Sequence, residues 1–127
     1  FGALVPSQDS HSQDLIQSKY KTSQKPVNFV FHGGSGSEKE KIAEAISYGV
    51  IKMNIDTDTQ FAFAESIGKY VWNNEKAFAY QIDPEDGKPY KKQYDPRVWL
   101  REGEKGIIKR MDEAFADLRS AGKSLAA

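Results

Sequence analysis

Cysteine is absent from the 127-residue chain. That excludes disulfides and thiolate metal sites, and it leaves the redox compartment open. Net charge is absent as well: 18 Lys and Arg residues balance 18 Asp and Glu residues. A neutral chain gives no support for nucleic-acid or membrane-surface binding. Long apolar runs are missing, and no stretch approaches the roughly 20 residues of a transmembrane helix. The first residues contain no basic segment followed by an apolar one, so they show no secretory signal. Phe1 stands where an initiator methionine is usual. A processed chain, a fragment, or only the ordered part of something longer would each show that start.

The residues that are present alternate between strand and helix patterns. Residues 1–8 read as a turn with Gly2 and Pro6. Asp9 to Tyr20 reads as a helix with Leu15, Ile16 and Tyr20 inward, and His11 exposed. Val27–Phe31 is short, β-branched and aromatic, so a buried strand is expected there, entered through Pro26. Ser37-Glu38-Lys39-Glu40 fits a capping box, opening a helix to Tyr48 with Gly49 as its terminator. Val50–Ile55 is a second expected strand, followed by the turn Asp56–Thr59. Phe61, Ala64, Ile67 and Val71 space out the apolar face of a third helix, which frays by Asn73-Asn74 or continues as a second short helix near Phe78. Residues 83–96 read as a long polar loop, part of a loop or extension over 83–103. A final helix is expected from about Glu104 to Arg119, with a fraying tail at Ser120–Ala127.

This order implies an α/β fold built from parallel βα units. Two strands cannot make a sheet covered on both faces, and such strands expect parallel neighbours on both sides. A complete (β/α)8 barrel needs about 250 residues. The chain can therefore supply only part of such a barrel, within a single domain over residues 1–127.

Three segments carry chemistry. His32-Gly33-Gly34-Ser35-Gly36-Ser37 follows the first strand, at the end where α/β proteins place their sites. His32 is either one ligand of a metal or a hydrogen-bonded imidazole without one. The glycines let backbone amides approach an anion, and Ser35 and Ser37 add hydroxyls. The same run also fits a plain βα turn with a cap. It is neither a dinucleotide fingerprint nor a P-loop. Asn54-Ile55-Asp56-Thr57 ends the second strand, and alternation puts Asn54 and Asp56 on one side. They suit either the hydroxyls of a sugar phosphate or a polar turn that caps a helix. Asn54 inside an apolar strand needs a partner. Arg97 follows Tyr94-Asp95-Pro96, and its guanidinium suits a phosphate bidentately. Arg101, Lys105 and Lys109 read as a solvated helix face.

Together, Phe29–Ser37, Lys52–Gln60 and Tyr94–Arg101 resemble the C-terminal part of class II fructose-bisphosphate aldolase, in its longer zinc-dependent subclass. The resemblance runs from about Phe29 to Leu118. It implies a cytoplasmic, homodimeric (β/α)8 barrel of glycolysis and gluconeogenesis, of which this chain supplies the last two βα units plus an extension. The implied reaction is reversible cleavage of fructose 1,6-bisphosphate into glycerone phosphate and glyceraldehyde 3-phosphate. It assigns His32 to zinc and Gly33 to the surroundings of a monovalent cation, Na+ or K+. Gly33, Gly34, Ser35, Asn54, Ile55, Asp56 and Thr57 are assigned to substrate, and Arg97 to its other phosphate across the dimer. The remaining zinc ligands and the acid/base carboxylates are implied to lie upstream. Phe1-Gly2 matches the opening of a family segment whose histidine is missing here, so the 127-residue piece alone is expected to be inactive. Its expected partners are phosphorylated sugars, the rest of the same chain and a second copy. Two other readings fit the residues: a tagatose-bisphosphate aldolase, or a non-catalytic phosphosugar-binding fragment.

Overall fold

A computed structural model describes residues 6–124. The turn read over residues 1–5, the Phe1-Gly2 match and the last three residues of the tail lie outside it. The chain is α/β and divides into two compact units. One comprises the residues up to Asp58 together with those from Glu113 onward; the other is Thr59–Asp112.

In the first unit, α1 (Pro6–Tyr20), β1 (Phe29–Phe31), α2 (Lys39–Ser47) and β2 (Val50–Met53) follow one another. The two strands pair in parallel, Phe29 opposite Val50 and Phe31 opposite Met53, with a register shift after Phe29. Both are shorter than expected. Alternation turns Phe29 and Phe31 onto Ala45 and Val50, the buried centre of this unit, while Val30 points out. Ile42, one helical turn before Ala45, is buried too.

The ends of these elements correct several expectations. Pro6 opens α1, where its missing N–H costs nothing, so residues 6–8 are helical rather than a turn. Leu15 and Tyr20 are not inward; they are 58% and 64% exposed. The helix is anchored by Gln13 instead, which is 5% exposed. Gln13 Nε2 donates to the Val27 carbonyl (2.6 Å) and the Tyr48 carbonyl (2.8 Å), and Oε1 accepts the Val27 N–H (3.0 Å). The Ser37–Glu40 capping box does not form. Helix α2 begins at Lys39 behind Glu38, with no side-chain cap, because Ser37 N–H closes a turn onto the Gly34 carbonyl (3.2 Å). Gly49 does terminate α2, at φ +104°, and a Cβ there would lie 2.7 Å from Gln13 Nε2 and 3.0 Å from the Val27 carbonyl oxygen.

In the second unit, α3 (Thr57–Asn73, entering at Thr59) is followed by α4 (Glu75–Ala79), α5 (Lys91–Tyr94) and α6 (Pro96–Asp117, leaving at Asp112). The expected continuation past Asn73 is therefore a separate short helix. Tyr70 holds this unit at two points, stacking edge-on against Phe78 (centroids 6.2 Å) and donating its hydroxyl to the Gln93 carbonyl (2.9 Å). The expected long loop is largely ordered. Ile82 and Pro89 bridge, Asp83 Oδ1 accepts the Glu85 N–H (2.8 Å), and the Tyr90 hydroxyl donates to Asp83. That contact pushes the Tyr90 hydroxyl up to about 12 and holds the Asp83 carboxyl below its ordinary range.

Helix α6 starts eight residues before the expected Glu104, so residues 96–103 are helix and not loop. It ends at Asp117 with Arg119 in the left-handed region (φ +54°), and Ser120 N–H returns to the Phe115 carbonyl (2.9 Å). The start of the tail is thus capped, not frayed. Of the expected stripe of α3, Ile67 and Val71 are half-buried, whereas Phe61 and Ala64 are exposed. Ala62, Phe63 and Ser66 are half-buried as well, because Gly103 and Gly106 of α6 lie against them. A Cβ on Gly106 would fall 2.9 Å from Ser66 Cβ and nearer still to the Ala62 carbonyl. On a free helix face Gly→Ala gains about 1 kcal/mol. Here overpacking costs about 1–3 kcal/mol. Gly106→Ala in the full-length protein is therefore expected to lower stability, read as a smaller midpoint denaturant concentration at unchanged slope. A raised midpoint would show that the seam is loose.

Candidate functional site

Because β1 and β2 run the same way, their C-terminal ends deliver residues 32–36 and 54–58 side by side. The ladder continues past both strands. Asn54 N–H donates to the Phe31 carbonyl (2.9 Å), and Gly34 N–H donates to the Asn54 carbonyl (2.8 Å). Gly34 is buried, and a Cβ there would sit 2.5 Å from Met53 Sδ and 3.1 Å from the Asn54 carbonyl oxygen. It is therefore a close-approach residue whose amide is already used, not a free donor. Gly33, at φ +74°, makes the turn that brings it there.

Side chains tie the two segments together. The Asn54 amide meets His32 Nδ1 at 2.8 Å, which is the partner an asparagine in this strand requires. Nε2 has no hydrogen-bond partner among the described residues. With the Asn54 amide N–H2 donating, the Nδ1 lone pair is used and the neutral ring carries its proton on Nε2; a metal at His32 requires the Asn54 amide to turn, so that its oxygen accepts Nδ1–H, or the contact to open. Ser35 Oγ accepts the amides of Asp56 and Asp58, each at 3.2 Å, and Asp58 Oδ2 accepts the Gly36 N–H at 3.2 Å. Ser35 thereby caps the start of α3 from the neighbouring strand end. Its hydroxyl proton stays available, because both of these bonds use Oγ as the acceptor.

What remains is a set of backbone donors. The amides of Gly33, Ser35, Ile55 and Thr57 have no hydrogen-bond partner among the described residues, whereas those of Gly34, Asn54 and Asp56 between them do. The pleat alternates direction, so every second amide is spent on the ladder and the others are left at its rim. Backbone N–H groups left without a partner beside the start of a helix are chemically suited to an anion. Among the described residues no three His, Cys, Asp or Glu side chains cluster to hold a metal, so His32 is a single donor.

Arg97 belongs to the second unit. Its fork is not free as expected: Nε donates to Asp95 Oδ1 (3.0 Å) and Nη2 to Oδ2 (2.7 Å). Lys91 Nζ stands 3.7 Å from the same Oδ2. The Arg97 guanidinium holds the Asp95 carboxyl well below the usual carboxylate range, and Arg97 itself is shifted upward in return. Asp95 also caps α6, with Oδ1 accepting the Arg97 N–H (3.0 Å) and its carbonyl accepting the Val98 N–H (2.8 Å). Sequence reasoning missed Asp95. The available signal was an acidic N-cap before proline at the first helical position.

The model of the class-II fructose-bisphosphate aldolase family matches residues 5–123. This chain belongs to that family. A fructose-bisphosphate aldolase of Campylobacter jejuni is 53% identical over 125 residues, covering 96% of this chain and 35% of its own length. The class 2 fructose-bisphosphate aldolase of Escherichia coli K12 is 44% identical over 119 residues, covering 92% and 33%. The crystal structure of the Campylobacter jejuni aldolase aligns with a TM-score of 0.86 at 53% identity, covering 94% of this chain and 36% of that one. This aldolase-family chain thus spans about a third of the length of the relatives it matches. Among its described residues no helix is long and apolar enough to cross a membrane.

Proposed function

We propose that this chain is the C-terminal part of a zinc-dependent class II aldolase, comprising the last two βα units and the extension of a (β/α)8 barrel. The whole enzyme, cytoplasmic and homodimeric, cleaves fructose 1,6-bisphosphate reversibly into glycerone phosphate and glyceraldehyde 3-phosphate. The observation that carries this reading is the pairing of one steadied imidazole with four free rim amides on adjacent strand ends. Those are the parts needed to hold a phosphorylated ketose beside a metal.

In this reading His32 holds zinc together with ligands from the rest of the chain, and a monovalent cation, Na+ or K+, sits by Gly33. Zinc, when bound, supplies Lewis-acid polarisation of a carbonyl. The chain's own residues bind and orient. The amides of Gly33, Ser35, Ile55 and Thr57 and the Ser35 hydroxyl take the phosphate of the glycerone half, with Asp56 beside them. Gly34 sets the spacing of the two segments without donating. Asn54 fixes the imidazole plane and faces the substrate hydroxyls. Arg97 takes the second phosphate, reaching it from the other copy across the dimer interface. Fixing both ends places the scissile bond in one position relative to the catalytic groups.

The test is cleavage by the full-length enzyme. Chelation is expected to lower turnover about a thousandfold, the scale of several kcal/mol of charge stabilisation, and added zinc to restore it. Turnover unaffected by chelator would overturn the metal reading. Absence of cleavage by the zinc-loaded enzyme would overturn the aldolase reading.

A further inference from the structure

The geometry points to Asp95 as a positioning residue that decides which edge of the Arg97 guanidinium faces the bisphosphate. This rests on the role given to Arg97 above. A guanidinium has five N–H donors on two usable edges. Asp95 occupies the Nε/Nη2 edge through two bonds, 3.0 and 2.7 Å. The Nη1/Nη2 edge keeps three protons, and the Arg97 side chain is 87% exposed while that of Asp95 is 11%. A buried carboxylate therefore holds an exposed cation by one side and presents the other side to solvent. Pro96, between them at the first helical position, fixes the backbone that separates the two side chains.

The clamp limits how phosphate can be gripped. An unclamped arginine offers either edge and must lose side-chain freedom on binding. A clamped one has lost that freedom already, and only the end-on Nη1/Nη2 edge can make a bidentate contact. Asp95 thus contributes to affinity for the second phosphate without touching it.

Asp95 also caps α6, so alanine would confound two effects. Asparagine separates them. Asn is as good an N-cap as Asp, and its Oδ1 still accepts the Arg97 N–H. Its amide nitrogen cannot accept the Nη2–H bond that Oδ2 now takes. In the full-length zinc-loaded enzyme, Asp95→Asn is expected to raise KM for fructose 1,6-bisphosphate about tenfold, with kcat changed far less and the thermal midpoint near that of the parent. Arg97→Ala is expected to raise KM at least as much. Adding Asp95→Asn to Arg97→Ala should then change KM no further, because there is nothing left to position. If Arg97→Ala raises KM but Asp95→Asn does not, positioning is overturned while the phosphate role of Arg97 stands. Additive effects in the double variant would overturn it too. An unchanged KM in Arg97→Ala would overturn the phosphate role and the positioning together.

Discussion

Replacement of His32 by alanine in the full-length enzyme is expected to remove most of the bound zinc and lower turnover by about a thousandfold or more. The expectation rests on the proposed metal role, and the structure supplies its physical terms. His32 is exposed, its only hydrogen bond among the described residues is the 2.8 Å contact to Asn54, and it packs no core. The substitution should therefore cost little stability, and a loss of activity cannot be blamed on unfolding. Zinc measured by elemental analysis, kcat and the thermal midpoint separate the possibilities. Full zinc occupancy with parental kcat would sink the assignment. Loss of zinc with retained turnover would place the metal outside the chemistry.

The second large effect concerns stability. Gln13→Ala leaves three backbone groups without their side-chain partner: the N–H and carbonyl of Val27 and the carbonyl of Tyr48. Each buried group left unsatisfied costs about 1–3 kcal/mol, and partial access of water to the vacated space lowers the sum. A loss of about 2–4 kcal/mol is expected for the packing of α1. Hydrogen exchange at the Val27 amide should accelerate accordingly. Gln13→Glu is a sharper test. It keeps an acceptor for the Val27 N–H but turns a carboxylate oxygen toward two carbonyl oxygens, so it should be no more stable than Gln13→Ala. Parental exchange rates in both variants would show that α1 is held by other contacts.

The order of elements and the parallel pairing were legible because alternating β-branched and aromatic runs, glycine terminators and helical spacing all point the same way. Gly49 was read correctly for a local reason: only a residue tolerant of positive φ ends α2 and reverses the chain there. The failures also have local causes. Apolar periodicity assigned Leu15 and Tyr20 to the inside of α1, yet the helix docks by a glutamine whose partners are main-chain atoms distant in sequence. The first half of the α3 stripe was misplaced, at Phe61 and Ala64, because two glycines on another helix receive Ala62, Phe63 and Ser66 instead. Ser37 was read as a cap from its spacing to Glu40, but its amide was taken by a turn.

At the site, the segments themselves were legible as chemistry, and their division of labour was not. Which amides remain free depends on the register between β1 and β2, a tertiary fact. The Ser35 cap and the Asn54–His32 contact likewise join strand ends that no spacing rule connects. Arg97 was found from its residue type. Its restraint by Asp95 follows from a helix start that the sequence reading placed eight residues too late.

Four of the donors at the strand ends are main-chain groups. A side-chain truncation cannot delete them, so alanine at Ile55 or Thr57 would remove a hydroxyl and methyls while leaving the N–H pattern standing, whereas at Ser35 it would also strip the acceptor of the Asp56 and Asp58 amides. The vulnerable positions are the ones with no side chain to truncate. At Gly33 any side chain meets open space but must adopt φ +74°, a backbone strain. At Gly34 it meets Met53 and the Asn54 carbonyl, a steric wedge between two paired segments. Mutational tolerance here is thus inverted for the main-chain donors: Ile55 and Thr57 can lose atoms and keep their amides, Gly33 and Gly34 can only gain them, and Ser35 alone has a side chain whose loss would also be felt.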